Sequence, residues 1–155
     1  MCNFLSAIVT RQKKLLVNPL LDHHTDLIEY YQLKDNHTGV AANFVRVEFT
    51  PKDKAFHDAD AYELTLDERE APAWWDDALA FDVAEQLREL IASMIVNDER
   101  TMLVGGAWII GPTGKVKRIV GPARIVTMTG ESKVDRMEKT NVGEMRESSN
   151  VGVMW

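Results

Sequence analysis

The sequence predicts an α+β protein, with a mainly antiparallel sheet packed by one long helix and a short C-terminal β-repeat tail of solenoid type. Three observations carry that expectation. Residues 81–96, FDVAEQLRELIASMIV, form the longest run with a single helical period. Short strand-like runs, bounded by glycine, proline and polar turns, outnumber helical ones. After Gly121 a Val-x-x-Met unit recurs every eight or nine residues. The α+β domain is therefore placed at residues 1–120 and the repeat tail at 121–155.

Residues 4–10 read as a strand on the strength of Ile8 and Val9, and 15–17 as a second. The polar turn Arg11, Gln12, Lys13 and Lys14 lies between them, and a hairpin is the simplest connection. Pro19 breaks the strand. Asp22 or Thr25 then starts a short helix to about Leu33, with Leu27, Ile28 and Tyr31 on one side. Residues 35–43 are a loop by composition. Residues 44–50 form a strand with Val45, Val47 and Phe49 on one face and Phe44, Arg46 and Glu48 on the other. Pro51 ends it, and 62–66 make another short strand.

Pro72, Trp74 and Trp75 lead into the long helix. Adjacent tryptophans point different ways, so one packs under the helix start and the other is free to touch a partner; Trp75 is the candidate contact. Within the helix, Val83, Leu87, Leu90 and Met94 recur at spacings of four, three and four. Ala84, Ile91 and Ile95 widen that stripe, and Glu85, Gln86, Arg88 and Glu89 fill the opposite face. Asp76 and Asp77 suit its N-terminus as cap or dipole partner, and Asn97 can end it. Residues 101–110 make the next strand. Gly105-Gly106 inside it signals a bulge, or close approach by another backbone or a ligand. A turn at 111–114 and Gly121-Pro122 separate two further strands, 115–120 and 123–128.

The tail repeats Val134-x-x-Met137, Val142-x-x-Met145 and Val151-x-x-Met154, between polar spacers. Each unit has too little apolar surface to stand alone, so neighbours must stack. A small β-solenoid, a meander continuing the sheet, and strands wound from several chains all fit, as does a frayed terminus. An open repeat end leaves unpaired backbone, and burial against a second copy is the natural remedy. A homo-oligomer is the expected state.

The chain has 155 residues, 45% hydrophobic and 27% charged, enough for one cored domain and an appendage. A net charge of -6, with the acids spread along the chain, argues against general nucleic-acid binding through phosphate neutralisation. One cysteine permits no internal disulfide and points to a reducing, cytoplasmic setting. No apolar run reaches the roughly 18 residues of a membrane span. The first apolar run is too short, and lacks the basic stretch, for a secretory signal. Walker, GxGxxG, HExxH, CxxC and GxSxG motifs are absent, so no cofactor and no metal are expected.

The residues able to carry chemistry are few. Removal of Met1 would free the α-amino group of Cys2, which could then act as general base for its own thiol. A small buried structural residue is the plain alternative. His24, with Asp22, His23 and Asp26 beside it, suits a general base or acid oriented by a carboxylate. Asp-His-His also has metal-ligand chemistry, but no paired motif follows it. Arg46 and Glu48 share a strand face. They pair with each other, or they line a pocket in which Arg46 holds an anion and Glu48 polarises His24. Gly105 and Gly106 would let a ligand approach the adjacent strand.

The opening MCNFLSAI, the segments DHHTDLI and FVRVEFTP, and the Val-x-x-Met tail together resemble small proteins encoded by bacteriophages. In these a compact domain precedes a variable number of short repeats. The resemblance brings no activity with it, but implies a host-cell cytoplasmic setting. The tail step is similar to that of the intertwined trimeric β-helices of phage spikes, without their regular glycines. Met1-Cys2 resembles the start of N-terminal-nucleophile hydrolases and of abasic-site-binding proteins beginning Met-Cys-Gly, although Asn3 stands here in place of glycine. Two functions follow as expectations. One is a phage-type binding or assembly protein recognising a small molecule or host protein and oligomerising through its tail. The other is an enzyme with Cys2 as nucleophile, supported by His24, Arg46 and Glu48.

Overall fold

The computed structural model describes residues 5–34, 42–138, 140–145 and 150–154, the last two stretches by backbone alone. It is an α+β structure with one antiparallel sheet, one parallel sheet and, among the described residues, two α-helices.

The antiparallel sheet has the order β2-β1-β3-β4, from β1 (Leu5–Thr10), β2 (Leu15–Leu16), β3 (Phe44–Pro51) and β4 (Tyr62–Leu66). The β1–β2 connection is a hairpin, closed by Thr10 N donating to Lys14 O at 2.9 Å and turning at Lys13 with φ 64°. Alternation along the strands separates two apolar sets. Ala7, Val9, Val45, Val47 and Phe49 face the main core. Ile8, Leu16 and Phe44 face the other way and bury Leu27 of the short helix α1 (His24–Tyr30).

The long helix α2 (Asp77–Met94) lies on the main core through Leu79, Val83, Leu87, Ile91 and Met94. Its stripe is the one the period predicts. It begins four residues before Phe81 because Asp76 caps it, accepting from Leu79 N at 2.8 Å. Its expected last residues form β5 (Ile95–Val96) instead.

The expectation of a mainly antiparallel sheet needs correction. β5, β6 (Glu99–Ile110), β7 (Lys115–Met128), β8 (Lys133–Met137), β9 (Thr140–Met145) and β10 (Asn150–Met154) form a six-stranded sheet in which every pairing is parallel. Glu99 faces Lys115, Lys115 faces Lys133, Ala123 faces Thr140 and Lys133 faces Asn150. From β6 onward the pairing offset is thus sixteen to eighteen residues, while β5 pairs with chain fourteen residues on, Ile95 facing Ile109.

Only residues 111–114 join β6 to β7. A straight strand as long as β6 would span roughly 40 Å, whereas so short a link bridges under about 20 Å. β6 must therefore bend, and it does so at Gly105-Gly106, with φ 58° and 74°, where the register shifts between Val104 and Gly106. A Cβ on Gly105 or Gly106 would meet nothing closer than 3.8 Å, so the glycines answer a conformational demand rather than a crowded approach. Beyond the bend, Trp108 Nε1 donates to Gly105 O at 2.6 Å.

The parallel strands enclose a second core of Val96, Leu103, Ile110, Val116, Ile119, Ala123, Ile125, Met128, Val134 and Met137. Ala107, Ile109 and Val126 instead join α2 in the main core. Arg124, nearly buried, reaches from β7 to the chain ahead of α1, donating to Pro19 O at 3.2 Å and to Asp22 Oδ2 at 3.4 Å. Burial holds its guanidinium below the ordinary arginine value, and Asp22 works against that shift.

Tyr62 is 2% exposed, stacks on Phe49 at 5.3 Å and donates its hydroxyl to Phe56 O at 2.9 Å. Burial pushes its phenol well above the ordinary value. Folding therefore favours the protonated form. That stability is fully present below the unfolded value of about 10 and is lost as pH rises beyond it. Tyr62→Phe is expected to cost about 1 kcal/mol near neutrality and to flatten the alkaline fall in stability. Denaturant melts from neutral to alkaline pH check both, and an unchanged alkaline limb would contradict the assignment.

Candidate functional site

The site is assembled where α1 begins on the outer face of β3. His24 is the first residue of the helix, and its side chain is 12% exposed. Its Nε2 lies 2.9 Å from Val47 O. A carbonyl only accepts, so Nε2 carries the hydrogen and donates it. In the neutral ring Nδ1 then holds the lone pair, and it faces Asp67 Oδ2 at 3.5 Å.

Glu48 follows Val47 on the strand and completes the group. Ligand atoms of His24, Glu48 and Asp67 lie within 4.8 Å of one another. The Glu48 carboxyl is raised above its usual range, first by burial, then by the Asp67 charge, with His24 opposing. Asp67 is set by the ladder, which continues past Leu66 as Asp67 N donates to Arg46 O at 2.9 Å. The chain before α1 is held from behind. Ser6, opposite Glu48 in the β1–β3 register, donates its hydroxyl to Asp22 O at 3.0 Å, and Arg124 pairs with the Asp22 carboxylate.

Of the sequence candidates, His24 and Glu48 therefore converge. Arg46 and Glu48 do not pair with each other. Arg46 Nη1 bonds Glu68 Oε1 at 3.0 Å, its backbone N–H meets the same oxygen at 3.1 Å, and its guanidinium lies 5.5 Å from the Phe44 ring centre. Glu68 stands beyond the end of β4 on the neighbouring edge and is nearer to hand. Trp75 is half-buried against the main core, edge-on to Trp74 at 6.5 Å, and Trp74 donates to Ala42 O at 2.9 Å. Gly105 and Gly106 form the bend of β6. Cys2 lies outside the described residues.

Asp67 and Glu68 escaped the sequence reading. They sit in the acidic stretch Asp67-Glu68-Arg69-Glu70, which looks like a solvated loop. Only the β3–β4 register brings them beside His24 and Arg46.

A second feature is a groove of about 330 Å³ on the parallel sheet, lined by Arg100, Lys115, Lys117 and Lys133 together with Glu99 and Asp135. Its charges pair locally, Lys115 with Glu99 of the adjacent strand at 3.7 Å and Lys133 with Asp135 of its own strand at 2.9 Å. It is a mixed surface rather than a phosphate track.

A neutral imidazole lone pair facing a carboxylate accepts a proton or a cation, and it has no donor to offer. In its neutral form His24 is therefore expected as the Nε2–H tautomer, checked by nitrogen-15 spectra of the imidazole. An Nδ1–H tautomer would contradict the geometry. No family model, no curated protein and no solved structure matches the chain.

Proposed function

We propose that the protein is a phage-type binding and assembly protein whose parallel strands are successive coils of a short β-solenoid. One observation supports this reading: the strands from β6 to β10 pair parallel with chain sixteen to eighteen residues away, and β5 pairs with chain fourteen residues on, across links too short for straight strands. Two Val-x-x-Met units make one such step. Val134 faces Val151 and Met137 faces Met154, while Val142 and Met145 face Ile125 and Met128. The unit puts its first and fourth residues inward and its middle pair outward, as at Val134, Asp135, Arg136 and Met137.

Stacking of this kind leaves an edge. Among the described residues β10 pairs only with β8 and β9 only with β7. A second copy would meet that edge with the same backbone spacing, and the tail would thereby oligomerise the protein. The α+β domain, with its polar group at His24, Glu48 and Asp67, would carry recognition of a small molecule or host protein.

Light scattering of the whole chain is expected to give an oligomer. Chains cut after Gly130, or more gently after Met145, are expected to run as monomers. A monomeric whole chain, or an oligomer that survives both cuts, would overturn the assembly role.

The meeting of His24 with Glu48 favours a second reading, an enzyme using Cys2 as nucleophile. An activated Cys2 would react with a mild thiol reagent at neutral pH far faster than a free cysteine. A rate equal to that of free cysteine removes this reading.

A further inference from the structure

We propose that His24, Glu48 and Asp67 form a binding site for a divalent transition-metal ion, of the manganese or zinc class. This goes beyond the assembly reading and does not depend on it. The ligands would be His24 Nδ1, one carboxylate oxygen of Glu48 and Oδ2 of Asp67.

Three features point the same way. The first is the orientation of the imidazole. Metal-binding histidines commonly donate their second ring N–H to a carbonyl or carboxylate, which fixes the tautomer and turns the other lone pair toward the ion. Val47 O does this for His24 at 2.9 Å, and the bond comes from β3 rather than from within the cluster.

The second is charge. Two carboxylates and a neutral imidazole sum to two negative charges, matching a divalent ion. The neighbouring cation on that strand face, Arg46, is engaged by Glu68 at 3.0 Å.

The third is reach. Metal–nitrogen and metal–oxygen bonds of about 2.1 Å allow ligand atoms up to about 4.2 Å apart, so a spread of 4.8 Å needs only a small contraction. The Asp67 side chain, 57% exposed, is free to supply it.

The donor set selects the metal class. Imidazole favours zinc and its neighbours, whereas sites for magnesium and calcium are built from oxygen. Three protein ligands leave positions for water or a substrate, as in catalytic rather than structural centres.

The test uses the whole chain with manganese as a paramagnetic probe and zinc in calorimetry. One ion per chain is expected, with amide signals of His24, Glu48 and Asp67 broadened first. Asp67→Asn and Glu48→Gln, both close in shape to the parent, should each weaken binding at least about tenfold. Because Asp67 is largely exposed, its amide variant keeps the fold even if Glu48→Gln does not. Zinc bound elsewhere on the chain would persist in both variants and is separated by the location of the manganese broadening. Absence of binding at millimolar manganese, broadening centred away from these residues, or unchanged affinity in Asp67→Asn would overturn the site.

Discussion

The parallel ladder between β6 and β7 is the seam on which the two halves of the molecule depend. A parallel strand covered on both faces reads as a near-continuous buried run. Over residues 123–128 β7 turns its side chains to two cores at once. Ile125 and Met128 point into the core enclosed by the parallel strands, while Val126 joins α2 and the antiparallel sheet. β6 does the same with Ile110 on one side and Ile109 on the other. Loss of that ladder would uncover both cores together, so the two sheets stand or fall as one structure. Arg124 adds a polar tie across the seam to Asp22, close to the start of α1.

What could be read beforehand was whatever the chain writes locally. The period of four, three and four names the buried side of α2 because a helix repeats every 3.6 residues whatever it packs against. The alternation Val45, Val47, Phe49 names the inner face of β3 for the same kind of reason. The direction of pairing is not local. Residues 111–114, a Gly-Pro-Thr-Gly turn, suit a hairpin as well as they suit a link between parallel strands. At 123–128 Ala, Arg, Ile, Val, Thr and Met are all buried, but the polar Arg124 and Thr127 interrupt the apolar run that would announce such burial in the sequence. A near-continuous buried run fits a strand covered on both faces, whereas a strand half open to water alternates. Gly105-Gly106 signals a bulge or a close approach, and the register shift between Val104 and Gly106 answers to the first of these.

The site shows the same division. His24 and Glu48 stood out by chemistry, and the fold places them together. Asp67 did not, because a carboxylate at the end of a short strand resembles every other solvated acid. Its position follows from a register spanning twenty residues, Val47 opposite Leu66, which no short motif records. Arg46 shows the reverse error. Residues two apart on a strand face look like natural partners, yet the cross-strand neighbour competes, and Glu68 offers one oxygen to both the guanidinium and the backbone N–H of Arg46.

Parallel strands in register bring like residues together, and the outer face of this sheet shows how that is tolerated. Lys115 stands opposite Lys133 and Arg118 opposite Arg136, arrangements that repel when left alone. Each column is offset by carboxylates set beside it. Glu99 and Asp135 flank the lysines, and Glu138 bonds Arg118 at 2.8 Å and Arg136 at 3.2 Å. The inward columns need no such compensation, since Val116 on Val134 and Ile119 on Met137 gain from likeness. The apolar columns thus favour this register unaided, and the charged columns permit it only where a carboxylate stands beside each pair of cations.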